Sequence, residues 1–175
     1  MRTLEEQITQ YAAYHRDRRN IATHFMGIPM IVFAIILALN GADTQLGLAH
    51  PTLAIGIALL FVLYYLMLDT ALGFAMAVYL GLNCFLAAKV AALMSLSGIA
   101  ATALAIFIAG WVLQFLGHKF EGMKPAFFDD IMGLAIGPLF MMVEVFFMLG
   151  LKPELQKHVE DRVGPVVAKR LHQSI

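Results

Sequence analysis

Residues 21 to 39 read IATHFMGIPMIVFAIILAL, a stretch without Asp, Glu, Lys or Arg in which His24 is the one titratable side chain. As a helix rising about 1.5 Å per residue it reaches roughly 28 Å, close to the ~30 Å of a bilayer's hydrocarbon core. Such a segment either crosses a membrane or lies inside a large protein core. The rest of the chain decides, because segments 51 to 68, 70 to 94 and 98 to 116 are similarly apolar, and 61% of the 175 residues are hydrophobic against 14% charged. A water-soluble bundle of that composition lacks the polar side chains to cover its own surface. A fifth apolar segment, 131 to 151, is interrupted by Pro138 and Glu144.

The expected fold is therefore all-α, a polytopic membrane helical bundle of four transmembrane helices plus a re-entrant or fifth hydrophobic segment. It forms a single domain over 1–175, with an N-terminal interfacial helix and turn (1–20), membrane helices (21–151) and a cytoplasmic amphipathic tail (152–175). In residues 3 to 15, Leu4, Ile8, Tyr11 and Tyr14 fall on one helical side. Arg16 to Arg19 read as a solvated turn, and Asn20 as the N-cap of a helix entering the bilayer at Ile21. No short apolar core with a cleavage site marks a removable signal. The net charge of +0 provides no basic footprint for nucleic acid, and the single cysteine, Cys84, behaves as a small hydrophobe within an apolar run.

Flanking Lys and Arg set the orientation. Arg2, Arg16, Arg18 and Arg19 put the N-terminus in the cytoplasm, and four crossings return the loop holding Lys119 and Lys124 to the same side. The tail, with Lys152, Lys157, Arg162, Lys169 and Arg170, also reads as cytoplasmic. A fifth full crossing would break that pattern, so 131 to 151 is expected to be a re-entrant pair turning near Gly137 and Pro138.

Three of the six histidines, His15, His24 and His118, fall at this one boundary. His15 and His24 would face apart on one continuous helix, and the intervening turn removes that objection. His118 and Glu121 are spaced i, i+3, which presents an imidazole and a carboxylate together. Imidazole plus carboxylate suits divalent iron or zinc, and open coordination positions suit oxygen activation. Glu144, ionisable within an apolar run, is a candidate ligand or an acceptor that orients a histidine. Against this, a lone boundary histidine is usually a hydrogen-bonded interfacial residue, and His50, His158 and His172 are read so. Glu121 has a plain alternative as the partner of Lys124, and the arginines of the turn as contacts to anionic lipid heads.

The run Tyr11, His15, Asn20, His24, Gly27 and Pro29 resembles the first motif of the 2-hydroxy fatty acid dioxygenase family first characterised in yeast. A second run, Trp111, Gln114, Phe115, Gly117, His118, Glu121, Pro125 and Ala126, followed by Pro138 and Glu144, is similar to that family's second motif. The resemblance implies an Fe(II)-dependent dioxygenase of fatty acid α-oxidation that shortens a 2-hydroxy fatty acid by one carbon with O2. It places the metal and catalytic set on His15, His24, His118, Glu121 and Glu144. Asn20, Gln114, Lys119 and Lys124 are the candidates for holding substrate, and an arginine of the 16–19 turn is a further candidate to steer its carboxylate. The implied location is an integral membrane protein with its active site facing the cytoplasm, in the cytoplasmic membrane of a bacterium or the endoplasmic reticulum of a eukaryote. The alternatives are a transporter or channel built around Pro138 and Glu144, or a haem-binding membrane protein; a di-iron hydroxylase would need an HxxHH box, which the sequence lacks.

Overall fold

The structure, a computed structural model, describes residues 2–48, 51–126 and 129–167. His50, Lys169, Arg170 and His172 lie outside the described residues. Among the described residues seven helices follow in chain order: α1 (Leu4–Ala12), α2 (Arg18–Gln45), α3 (Thr52–Leu68), α4 (Thr70–Ala91), α5 (Leu96–Glu121), α6 (Gly133–Met148) and α7 (Pro153–Val163). Among the described residues there is no strand, only an isolated bridge between Asp17 and Val167. The protein is an all-helical membrane bundle. Helices α2, α4 and α5 are each long and apolar enough to cross a bilayer, and the bent pair of α6 and α7 adds a fourth candidate span. Helix α3, with 17 residues, reaches only about 25 Å and falls short of the hydrocarbon thickness unless the bilayer thins around it.

The chain forms two compact units. In the first, residues 1–28 and 112–175, Thr3 starts α1 with a reciprocal cap: its hydroxyl accepts from Glu6 N, and the Glu6 carboxylate accepts from Thr3 N. Leu4, Ile8, Tyr11 and Ala12 are buried, and α1 packs on α6 and α7. Tyr14 does not extend this buried stripe; its hydroxyl donates to Asp129 at 2.8 Å. Helix α6 runs unbroken through Pro138, which corrects the expected turn near Gly137 and Pro138. The reversal comes later, as a 111° bend between α6 and α7, where Gly150 and Lys152 take positive φ. Gly137 has a packing role instead, since a Cβ there would stand 3.0 Å from the Tyr11 hydroxyl.

In the second unit, residues 29–111, α3 and α4 form a hairpin. Asp69 ends one helix and caps the next, its Oδ1 accepting from Leu72 N at 2.9 Å. Gly73 allows the close approach: a Cβ there would lie 2.6 Å from Leu66 Cα. Leu60 on α3, Val78 on α4 and Leu104 on α5 are largely exposed, as expected of side chains solvated by lipid.

A candidate metal centre

His15 follows the last turn of α1, with its backbone N bonded to Ala12 O at 2.9 Å. His24 lies in the second turn of α2 and His118 in the last turn of α5. All three are buried. Their ring centroids are 4.6 Å (15 to 24), 4.9 Å (15 to 118) and 5.0 Å (24 to 118) apart, and each offers a nitrogen within 4.8 Å of the other two. The close approach depends on Gly117, where a Cβ would collide with Thr23 and Asn20 and meet His24 Nδ1 at 3.0 Å.

The protons on two of these rings follow from their partners. His15 Nδ1 contacts Tyr11 O at 2.7 Å and His24 Nδ1 contacts Asn20 O at 2.9 Å. A carbonyl only accepts, so both Nδ1 atoms are the N–H, and in the neutral rings both Nε2 atoms carry the lone pair. Those two Nε2 atoms face each other at 3.1 Å. Two lone pairs at that distance repel unless a proton or a metal cation is shared. Burial, reinforced by the neighbouring His24, pushes the His15 pKa well below its ordinary value, which disfavours the proton. His118 Nδ1 is buried and has no hydrogen-bond partner among the described residues. The donor set fits a divalent ion: two metal–nitrogen bonds of about 2.1 Å at a right angle would hold their nitrogens about 3.0 Å apart. Tyr11 stacks flat on the His15 ring at 4.2 Å, and Phe140 closes beside it at 5.5 Å.

Glu121 and Glu144 are not brought into the imidazole group. Glu121 Oε2 accepts from Arg16 N at 2.9 Å, Asp17 N at 2.7 Å and Asn20 Nδ2 at 3.0 Å. The carboxylate thus grips the turn after His15 from the end of the helix that carries His118. It does not pair with Lys124, whose ammonium meets Asp129 at 2.5 Å. Glu144 faces Arg16 at 3.6 Å. The expected solvated turn is corrected too: Arg16 and Asp17 are buried, and the Asp17 carboxylate accepts from the backbone and guanidinium of Arg19. Because α2 begins at Arg18, Asn20 lies inside it and caps nothing; its amide donates to Tyr14 O and Glu121. Gln114, one turn before His118, is buried, and its Nε2 has no partner among the described residues. Lys119 and Lys124 are exposed. The sequence reading missed Phe140, which nothing distinguished among thirteen phenylalanines, and the burial of Arg16, which meets Gly164 and Glu144 from distant parts of the chain.

A family model described as 2-hydroxy-palmitic acid dioxygenase Mpo1-like matches residues 1–149. The 2-hydroxy-palmitic acid dioxygenase MPO1 of Saccharomyces cerevisiae (strain ATCC 204508 / S288c) is 28% identical over 166 residues, covering 90% of this chain and 87% of the yeast protein. No solved structure matches significantly.

Proposed function

Because the chain belongs to the 2-hydroxy-palmitic acid dioxygenase Mpo1-like family, we propose that it is a membrane dioxygenase of fatty acid α-oxidation that uses Fe(II). Its substrates are a 2-hydroxy fatty acid and O2, and its product is the acid one carbon shorter. The observation that carries the metal is the pair of Nε2 lone pairs at 3.1 Å, an arrangement made for a cation. His15, His24 and His118 hold the ion. Ferrous iron, when bound with coordination positions open, supplies the redox chemistry that lets O2 react with a closed-shell substrate.

The protein's own groups do the rest. Tyr11 O and Asn20 O fix which nitrogen of His15 and His24 is presented. Glu121 holds the His15 turn in register with His118, and the Tyr11 and Phe140 rings keep water from one side of His15. The stoichiometry closes without a further reductant if the lost carbon leaves as CO2: oxidising the 2-hydroxy acid to the shorter acid, CO2 and water removes four electrons, the number one O2 accepts. The basic residues near the chain's start and around Lys119 support a cytoplasmic orientation for this site.

The test is iron content and turnover of purified protein. The wild type should hold one iron and release the acid one carbon shorter with O2 consumed mole for mole; His24→Ala should lose both. Normal iron and turnover in His24→Ala would remove the imidazole group as the centre.

A further inference from the structure

A cavity of about 560 Å³ opens among α2, α6, α7 and the segment after α7, within the range of small-molecule sites. Its wall is apolar at Ile21, Phe25, Phe147 and Val159 and charged at Arg16 and Glu144. Both charged residues are more than nine-tenths buried. Arg16 Nε donates to Ala12 O and His15 O, and Nη1 to Gly164 O, but among the described residues Nη2 has no hydrogen-bond partner. Glu144 Oε1 stands 3.6 Å from Nη2, near enough to attract and too far for a hydrogen bond. A buried ion pair left incomplete is costly. The cavity is thus built around one unused donor beside one unused acceptor.

We propose that this cavity receives the head of the 2-hydroxy fatty acid, with Arg16 donating to the carboxylate and Glu144 accepting from the 2-hydroxyl. The assignment rests on the proposed dioxygenase reading for its ligand. A 2-hydroxy acid carries an acceptor and a donor on adjacent carbons, the complement of this donor and acceptor. An unsubstituted fatty acid lacks the donor, so its carboxylate would face Glu144 with nothing to offset the repulsion. Arg18 and Glu160 also line the cavity, and with Arg16 and Glu144 the four charges cancel. Net charge therefore draws no acid in, and the hydroxyl contact decides which acid stays. The apolar wall takes the first methylenes. Because Arg16 follows His15 and bonds its carbonyl, head recognition is carried by the same backbone as a proposed metal ligand.

The experiment is equilibrium binding of radiolabelled 2-hydroxyhexadecanoic and hexadecanoic acids to the full-length protein in detergent, with iron content measured on the same samples. The wild type should prefer the hydroxy acid by about tenfold or more. Glu144→Met, which keeps the side chain's length and removes its acceptor oxygens, should bring that ratio close to one, and Arg16→Lys should weaken both acids about tenfold. Ala22→Trp, which fills the cavity from an exposed position on α2, should weaken the long acids while iron content stays at the wild-type level. It also serves where Arg16→Lys fails to fold. An unchanged ratio in Glu144→Met together with full affinity in Ala22→Trp would overturn the assignment. Hydroxyl-dependent binding without iron or turnover would overturn the dioxygenase reading and leave the cavity standing.

Discussion

Adding one methyl group at Gly117 should disable the metal centre without altering a ligand. In Gly117→Ala the new Cβ would fall well inside contact distance of Thr23 Oγ1 and Asn20 Oδ1 and 3.0 Å from His24 Nδ1. Relieving those overlaps needs roughly 1 Å of movement between the facing surfaces of α5 and α2. A metal site tolerates about 0.2 Å in its ligand distances, so the movement is several times what His24 and His118 have to spare. The cost in fold stability is smaller, because overpacking of about 1–3 kcal/mol is offset by about 1 kcal/mol of helix propensity gained on replacing glycine. The expected result is a folded protein, helical by circular dichroism, whose iron affinity has fallen about tenfold to a hundredfold, read by equilibrium dialysis with mass-spectrometric metal counting. Gly81→Ala is the control, since a Cβ there meets nothing within 4 Å. Wild-type iron affinity and turnover in Gly117→Ala would refute the idea that close helix contact sets the ligand geometry.

Glu121→Ala leaves three buried N–H donors without their shared acceptor, so iron affinity should fall by about tenfold to a hundredfold; Glu121→Gln, which keeps an acceptor oxygen, should recover much of it, and a loss as large in Gln as in Ala would point to a direct ligand. Gly73→Ala should lower stability by about 1–3 kcal/mol in chemical denaturation, because the added Cβ meets the Leu66 backbone and backbone cannot rotate aside; unchanged stability would show that α3 and α4 pack less tightly than described. Hydrogen bonds from Lys124 and then Tyr14 hold the Asp129 carboxyl below its ordinary value. A depressed acid stabilises the fold above its unfolded pKa and loses that contribution as pH falls through the folded one. In Lys124→Ala the Asp129 titration, followed by carbon-13 NMR, should therefore move up toward 3.8, and an unmoved titration would remove Lys124 as its cause.

Apolar runs and the histidines near their ends were readable because both are local: a helix long enough to span announces itself in its own residues, His24 lies near the start of one such run, and His15 and His118 flank such runs. What could not be read was which polar groups answer one another. Arg16 looked solvated because the sequence around it is polar, whereas besides the nearby Ala12 and His15 carbonyls its guanidinium meets Gly164 and Glu144, more than a hundred positions away. Asn20 has the chemistry of a cap, yet Asp17 draws the start of α2 back to Arg18, and Asn20 serves Glu121 from inside the helix. Pro138 and Gly137 suggested a turn by composition, but the glycine there makes room for Tyr11. Neighbours of that kind emerge only from packing.

The acceptors that set the His15 and His24 tautomers are main-chain carbonyls four positions back, of Tyr11 and Asn20. Side-chain replacement at position 11 or 20 deletes a ring or an amide but leaves its carbonyl in place. Mutation can thus drift widely around these histidines while the nitrogen each presents stays the same, and only a change that unwinds the backbone behind them reverses that choice.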